Sequence, residues 1–216
     1  NTIFGTQMKS FPKTNVPIVC DMSSDIFSRS LDFSQFDLIY AGAQKNMGAA
    51  GATLVVVKEE ILGKTGRTIP SILDYEKHIK AESMYNTPAV FAVYTCLLTL
   101  QWLKNQGGIP AIEKINEAKA TLLYNEIDRN PLFIGTANVA DRSNMNATFL
   151  LVNPEHQETF DKLWKEAGIS GLAGHRSVGG YRASMYNALP LESVQVLVDV
   201  MKKLEEVVIA QSQLAE

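Results

Sequence analysis

Residues 16–57 read VPIVCDMSSDIFSRSLDFSQFDLIYAGAQKNMGAAGATLVVV and contain three short apolar runs. The runs cover residues 16–20, 38–41 and 53–57, and glycine, proline and serine occur between them. Near-continuous apolar character, rather than strict alternation, is typical of strands that are covered on both faces. The stretch therefore predicts a layered α/β fold in which these three strands are buried on both sides.

The pattern changes to helical spacing after residue 86. Thr87 and Pro88 are suited to start a helix, and Gly107 and Gly108 to stop it. The predicted inner face carries Val90, Phe91, Tyr94, Leu97, Leu98 and Trp102.

Three more helices and two strands are predicted in the second half of the chain. The helices follow Pro110, Pro154 and Pro190, and the strands cover residues 147–152 and 181–186. The inner stripe of the first of these helices is predicted to be Ile112, Ile115, Leu122 and Ile127. The glycine pair at 107–108 predicts a division into residues 1–107 and an α+β domain of residues 108–216.

Composition excludes disordered, collagen-like and membrane-spanning proteins. The 216 residues are 46% hydrophobic and carry a formal net charge of −3, which is ordinary for soluble globular domains. No basic cluster favours nucleic acid or a membrane surface as the partner. Cys20 and Cys96 are the two cysteines, and the three histidines lack metal-ligand spacing, so we expect free thiols and no protein-built metal site. The opening residues lack the features of a signal peptide, which favours a cytoplasmic location.

The segment YAGAQKNMGAAG, residues 40–51, places one lysine among small residues between two predicted strands. A lysine in such surroundings can lose hydration and become an imine-forming nucleophile. The glycines at 42, 48 and 51 permit close approach of a ligand to the backbone. The alternatives are that Lys45 lies on an exposed turn or binds an anion.

Asp21 follows a predicted strand directly, at the kind of sheet edge where ligands bind. Taken alone, it could equally cap the turn that follows. A strand-end aspartate and a lysine between strands are together the two groups that a pyridoxal phosphate enzyme needs, one to pair with the pyridine nitrogen and one to bind the aldehyde.

The segment GHRSVGGYR, residues 174–182, offers adjacent cationic donors in a glycine-framed loop. His175 and Arg176 are suited to a phosphate group. Arg182, on a predicted strand, is suited to a two-pronged pair with an α-carboxylate. Each arginine taken singly could instead form a surface salt bridge.

Three segments carry a resemblance to a known family: CDMSSDIFSRSLDFSQFDLIYAGAQKNMGAAG, SMYNTPAVFAVY and GHRSVGGYRASMYNALP. In this order they resemble the phosphoserine aminotransferases, which are class V, fold-type I pyridoxal phosphate enzymes. The resemblance covers roughly the C-terminal three-fifths of a family member. It implies an aspartate-aminotransferase-like α/β fold, with residues 1–107 as part of the large cofactor-binding domain and 108–216 as the small domain.

The same resemblance implies a role for each site residue. Lys45 would be the catalytic Schiff-base lysine and Asp21 the partner of the pyridine nitrogen. The further cofactor ligands would be Thr2 and Gln44, together with Asn86 and Thr87 acting on the cofactor of the neighbouring subunit of a homodimer. The substrate ligands would be His175, Arg176 and Arg182.

The implied reaction transfers an amino group between L-glutamate and 3-phosphohydroxypyruvate, giving 2-oxoglutarate and O-phospho-L-serine in L-serine biosynthesis. Three alternatives remain open from the sequence. The chain could be a serine- or alanine-glyoxylate type of fold-type I aminotransferase. It could be a cysteine desulfurase, although neither cysteine is placed for that role. It could also be an inactive dimerisation module that uses the apolar helix after Thr87 as its contact face.

Overall fold

The computed structural model describes residues 2–215, and their side chains as far as Gln213. It contains two compact units. One is Phe11–Ile109, and the other combines the opening residues up to Ser10 with the chain from Pro110 onward. The predicted division differs in the first ten residues. These belong with the second unit because Thr6 forms a β-bridge with Arg142 and the Gln7 backbone N–H donates to the Asp141 carbonyl at 2.8 Å.

The first unit contains a three-stranded sheet and two helices. The strands are β1 (Val19–Asp21), β2 (Leu38–Gly42) and β3 (Thr53–Val57), and the helices are α1 (Tyr75–Lys80) and α2 (Val90–Asn105). The sheet order is β1-β2-β3, with β1 parallel to β2 and β3 antiparallel to β2. Because β1 and β2 are parallel, their carboxyl ends lie at the same edge of the sheet.

The prediction that these strands are buried on both faces is wrong for the described residues. Ile39 and Ala41 of β2 are buried, whereas Tyr40 between them is 38% exposed. Val19 on β1 and Val56 on β3 are also exposed. One face of the sheet packs on the core, formed by Met22, Ile26, Phe36, Ile39, Ala41, Ala43 and Met47. The other face has no such layer over it in the described part of the chain, which produces the alternating burial.

Helix α2 presents the opposite face from the one predicted. Phe91 is 73% exposed and Leu97 is 51% exposed, whereas Ala92 is buried. The cause is close packing, since a Cβ on Gly48 would lie 2.9 Å from the Cys96 backbone nitrogen. So close an approach requires small groups on the inner side of the helix, and the large apolar side chains therefore point outward.

The start of α2 also differs from the prediction. The helix begins at Val90 rather than at Thr87, and its N-cap residue, Ala89, makes no side-chain capping hydrogen bond. Thr87 lies outside the helix. Its hydroxyl is therefore not used to cap the backbone there.

The second unit contains three helices and a second three-stranded sheet. The helices are α3 (Gly108–Arg129), α4 (Gln157–Glu166) and α5 (Leu191–Ala215), and the strands are β4 (Phe133–Gly135), β5 (Asn146–Leu151) and β6 (Tyr181–Ser184). The order is β4-β5-β6 and both pairs are antiparallel. Strand β4 was not expected from the sequence. Its three residues are too few to show a pattern.

Aromatic side chains from the sheet and α4 form the centre of this unit. Phe133, Phe149, Phe160 and Tyr181 are all buried. The Phe133 and Phe160 ring centroids are 5.1 Å apart, and those of Phe160 and Tyr181 are 4.8 Å apart, both pairs edge to face. This geometry is favourable for aromatic pairs and holds α4 on the sheet.

Lys119 on α3 is fully buried in the same unit. Its ammonium group donates to three carbonyl oxygens: Met185 at 3.1 Å, Tyr186 at 3.0 Å and Leu189 at 3.0 Å. Burial lowers the pKa of Lys119 to about 8. The lysine satisfies carbonyls of the segment that joins β6 to α5, among them the buried Met185 carbonyl, whereas the Tyr186 carbonyl also accepts the Leu189 N–H at 2.9 Å.

Replacing Lys119 by methionine is expected to lower the free energy of unfolding by about 2–4 kcal/mol, because it leaves buried acceptors unsatisfied. The deficit should grow as the pH rises from about 8 toward 10.5. In that interval the unfolded chain binds the proton and the folded chain does not, so raising the pH stabilises the folded parent. Urea unfolding followed by Trp164 fluorescence, in a Trp102→Phe background, measures both effects.

The exposed Lys162 on α4 provides the control. Lys162→Met should change the unfolding free energy by no more than about 0.5 kcal/mol. A Lys119→Met deficit that stays constant between these pH values would show that burial does not perturb the amine.

Candidate active site

Asp21 and Lys45 lie at the edge of the first sheet where β1 and β2 end. Asp21 is the last residue of β1, and Lys45 follows β2 after two residues. The Lys45 turn is closed by backbone bonds to the Ala43 carbonyl, from the N–H of Lys45 at 2.8 Å and from that of Gly48 at 2.8 Å. Lys45 is half-buried. The parallel strands therefore bring the two groups to one side of the unit.

Hydrogen bonds link the Asp21 loop to the Lys45 loop. The Ser23 backbone N–H donates to Asp21 Oδ1 at 2.9 Å, and Ser23 Oγ accepts from the Gly42 N–H at 3.0 Å. The buried Asn46 donates from Nδ2 to the Ile26 carbonyl at 3.0 Å. These contacts hold the carboxylate and the lysine-bearing turn in a fixed relation.

The electrostatics of this edge favour an ionised Asp21. Burial raises its pKa, but hydrogen bonds from Ser23, the positive charge of Lys45 and a hydrogen bond from Tyr40 together lower the pKa below its usual value. Asp21 is the register partner of Tyr40 in the parallel pair β1–β2. The Asp21 charge, followed by burial, in turn raises the pKa of the Tyr40 hydroxyl. Asp21 therefore carries a negative charge at neutral pH within electrostatic reach of Lys45.

Local packing explains two of the small residues near Lys45, Gly42 and Gly48. A Cβ on Gly42 would come within 2.6 Å of Oε1 of Gln44, so the glycine leaves room for that exposed amide. Gly48 permits the close approach of α2, and the Ala49 N–H donates to Thr95 Oγ1 at 3.1 Å. In this region glycine serves helix packing at Gly48 and side-chain placement at Gly42.

Asn86 and Thr87 lie on the exposed segment before α2. Asn86 Nδ2 donates weakly to the Thr87 carbonyl at 3.4 Å. Neither side chain is used to cap the helix. Both polar groups are therefore presented to solvent in this chain.

Four predicted site residues lie in the second unit: Thr2, His175, Arg176 and Arg182. Thr2 is half-buried in the opening segment, His175 is half-buried and Arg176 is exposed. His175 and Arg182 border two different cavities, of about 170 Å³ and about 320 Å³. The structure thus brings Asp21, Gln44 and Lys45 together in the first unit, but it does not place His175 and Arg182 in one cavity.

The loop that carries His175 and Arg176 depends on glycine. A Cβ on Gly174 would overlap the Gly179 carbonyl oxygen, and Gly179 and Gly180 have φ values of +68° and +63°. The N–H groups of Val178 and Gly179 both donate to the His175 carbonyl at 2.9 Å. The loop is compact, and its side chains project from a tightly turned backbone.

Arg182 occupies the middle of β6, opposite Thr148 of β5. Its backbone N–H donates to the Leu172 carbonyl at 2.8 Å. The Nε atom of its half-buried guanidinium has no hydrogen-bond partner among residues 2–215. Because protein atoms cover this nitrogen, a ligand carboxylate would have to bind the terminal nitrogens of the guanidinium.

The two cysteines are free and half-buried. Burial, followed by the charges of Asp25 and Asp21, raises the pKa of the Cys20 thiol. A thiol with a raised pKa is a poor nucleophile at neutral pH, which disfavours the desulfurase alternative.

Residues 2–215 contain neither a candidate metal cluster nor a candidate membrane-spanning helix. No described group of three or more His, Cys, Asp or Glu side chains could hold a metal ion. None of the described helices has the length and apolar content needed to cross a bilayer.

Two side chains near Asp21 and Lys45 were not expected from the sequence. Ser23 bonds both Asp21 and the end of β2, and Tyr40 is the register partner of Asp21. The signal that could have found Tyr40 is register, since a parallel pairing that aligns the first residues of both strands, Val19 and Leu38, puts Tyr40 beside Asp21.

Comparison with known proteins identifies the family of this chain. The family model for class-V aminotransferases matches residues 5–197, so the chain belongs to the class-V aminotransferases. The predicted resemblance and the predicted aspartate-aminotransferase-like fold are both confirmed.

Individual relatives carry a more specific name. Phosphoserine aminotransferase of Flavobacterium psychrophilum is 82% identical over 205 residues, which cover 95% of this chain and 58% of that protein. The solved phosphoserine aminotransferase of Bacillus circulans subsp. alkalophilus is 43% identical with a TM-score of 0.91, and the match covers 96% of this chain and 58% of that one. The enzyme of Trichomonas vaginalis, solved with pyridoxal phosphate bound, is 35% identical with a TM-score of 0.88, covering 94% and 58%. The chain thus spans somewhat less than three-fifths of the length of these relatives.

Proposed function

We propose that this chain supplies the lysine, carboxylate and substrate-binding groups of a pyridoxal-phosphate-dependent phosphoserine aminotransferase. The observation that carries the proposal is the ionised Asp21 held beside the Lys45 turn at one sheet edge. The names of the close relatives support the same assignment.

The donor set of the first unit fits pyridoxal phosphate. Lys45 offers a primary amine for the aldehyde, and Asp21 offers a negative charge for the pyridine nitrogen. Gln44 is an exposed amide next to Lys45, and Asn86 and Thr87 expose polar groups that suit a phosphate. Thr2 is the remaining proposed ligand. When bound, pyridoxal phosphate supplies the electron sink for amino-group transfer.

Three residues of this chain would have separate roles in the reaction. The Lys45 amine accepts and returns the proton at the substrate Cα, and so acts as the acid and base of both half-reactions. Asp21 stabilises a positive charge on the ring nitrogen throughout. Arg182 binds the substrate α-carboxylate through its guanidinium.

His175 and Arg176 set the choice of substrate. Their adjacent donors bind the phosphate of O-phospho-L-serine or 3-phosphohydroxypyruvate, and the side-chain carboxylate of L-glutamate uses the same donors in the other half-reaction. The products of the forward direction are O-phospho-L-serine and 2-oxoglutarate. The reaction belongs to L-serine biosynthesis.

Changing Arg176 to leucine tests this substrate assignment. The experiment uses the completed chain, by which we mean this sequence joined to the part of the Flavobacterium psychrophilum relative that it does not span and loaded with pyridoxal phosphate. Removing one side of a charge-assisted pair costs about 2–4 kcal/mol, so kcat/KM for phosphoserine and for glutamate should fall roughly 30- to 900-fold. Single-turnover measurements of each half-reaction provide the values.

Lys203→Leu is the matched control, because Lys203 is an exposed cation on α5. It should leave both half-reactions within about two-fold of the parent. If Arg176→Leu leaves the KM for both substrates unchanged, the phosphate-binding role is wrong, and a glyoxylate-type aminotransferase becomes the better assignment.

We also propose that the protein forms a homodimer and is located in the cytoplasm. The exposed apolar residues of α2, including Phe91 and Leu97, support a partner on that helix. The proposed action of Asn86 and Thr87 on the neighbouring subunit's cofactor also requires a second copy.

A further inference from the structure

The His175 ring makes two contacts with a residue that has no assigned role. Ser177 Oγ lies 2.7 Å from His175 Nδ1, and the Ser177 backbone N–H donates to the same nitrogen at 3.3 Å. Over residues 2–215 the Ser177 hydroxyl makes no other hydrogen bond. Ser177 is exposed on the loop, whereas the His175 ring is half-buried beside the cavity of about 170 Å³.

These contacts favour one of the two ring nitrogens as the site of the proton. A backbone N–H can only donate, so this long contact at 3.3 Å disfavours a proton on His175 Nδ1 but is too weak to fix the tautomer alone. The Ser177 hydroxyl can rotate to donate to the same lone pair. In the neutral imidazole the proton is then on Nε2, which is the nitrogen left for a ligand.

We propose that Ser177 is a positioning residue that fixes His175 in the Nε2–H tautomer, so that the ring presents an N–H donor to the substrate phosphate. This inference rests on the proposed function for the identity of the ligand, but the tautomer itself does not depend on it. Arg176 supplies the charge of the phosphate site and His175 supplies a directed donor. Without Ser177 the ring could rotate or exchange its proton between the two nitrogens, and Nε2 would be a donor only part of the time.

Nuclear magnetic resonance tests the tautomer directly in the completed chain, without substrate. The chain has three histidines, so ¹⁵N-labelled imidazole signals can be assigned by single substitutions. His78 is an internal reference, because its Nε2 lies 2.8 Å from the Ile72 carbonyl and must donate there.

His175 is expected to show the Nε2–H pattern, like His78. Ser177→Ala should move His175 toward a mixture, and Ser177→Thr should restore it. A His175 signal of the Nδ1–H form, or one unchanged in Ser177→Ala, overturns the inference.

Kinetics supply the second readout. Because one of two donors to Nδ1 is lost, Ser177→Ala should raise the KM for O-phospho-L-serine about three- to ten-fold, with kcat within about two-fold. Ser177→Thr should return the KM to the parent value. A parent that does not turn over O-phospho-L-serine refutes the proposed function and leaves the tautomer result standing. A parent that turns it over with an unchanged KM in Ser177→Ala refutes the positioning role alone.

Discussion

Replacing Lys45 by alanine is expected to lower kcat of the completed chain at least roughly 10³-fold. General acid–base catalysis alone contributes about 10²–10⁴-fold, and in the proposed site the Lys45 amine would also provide the covalent link to the cofactor. Stopped-flow measurement of each half-reaction separates the effect on chemistry from the effect on binding. A small primary amine in solution should restore part of the lost rate, because it can take over the proton transfer.

Lys104→Ala serves as the control, since Lys104 is an exposed lysine at the end of α2 in the same unit. It should turn over at the parent rate within about two-fold. Parent-like turnover in Lys45→Ala would mean that another group moves the proton, and the assignment of the active site to this edge of the sheet would be wrong.

Changing Asp21 to asparagine is expected to give the second largest loss, about 30- to 4000-fold in kcat. The figure follows from the cost of about 2–5 kcal/mol for leaving one member of a hydrogen-bonded charge pair without its partner. The asparagine side chain has nearly the same shape, and its oxygen can still accept the Ser23 N–H that Asp21 accepts at 2.9 Å. The local fold should therefore survive, and the loss reports the missing charge. The kcat values and the absorption spectrum of the bound cofactor are the two readouts.

The chain offers a closely matched control for this substitution. Asp32 accepts the Ser34 backbone N–H at 3.0 Å in the same local arrangement in which Asp21 accepts that of Ser23. Asp32→Asn should leave kcat within about two-fold. Equal losses in the two variants would indicate a general effect on turn structure rather than on the cofactor.

The positions of Asp21 and Lys45, the proposed catalytic pair, could be predicted because they depend on local chain features. The runs before Asp21 and around Lys45 identify strands that end where the two residues lie, and β2 and β3 occur where the sequence predicts them. Tyr40 could not be predicted as a partner of Asp21, since that contact depends on the parallel register of two strands. Register between distant strands is a property of tertiary packing, which local patterns do not contain.

Burial was harder to predict than secondary structure. The apolar face of α2 has the spacing of a core helix, but the approach to Gly48 selects the small residues for the inner side. Lys119 shows the converse case. Its position on α3 is fully buried because three carbonyls at the end of β6 accept its hydrogens, and no helical pattern predicts such a contact.

The short elements could not be predicted from periodicity either. Strand β4 has three residues and α1 has six, so neither completes enough turns or alternations to give a pattern. Helix α1 still has a start signal that can be seen afterwards. Asp74 accepts the Glu76 N–H at 3.1 Å as its N-cap.

The most direct measurement for the central claim is borohydride reduction of the completed chain with pyridoxal phosphate, followed by peptide mass spectrometry. Reduction converts a reversible link between a lysine and the aldehyde into a stable bond, which marks the lysine that holds the cofactor. The added mass is expected on the peptide containing Lys45; Lys45→Ala should abolish it, and Lys104→Ala should not. Labelling of a different lysine, or no labelling of a chain that turns over substrate, would contradict the claim that Lys45 and Asp21 form the cofactor site.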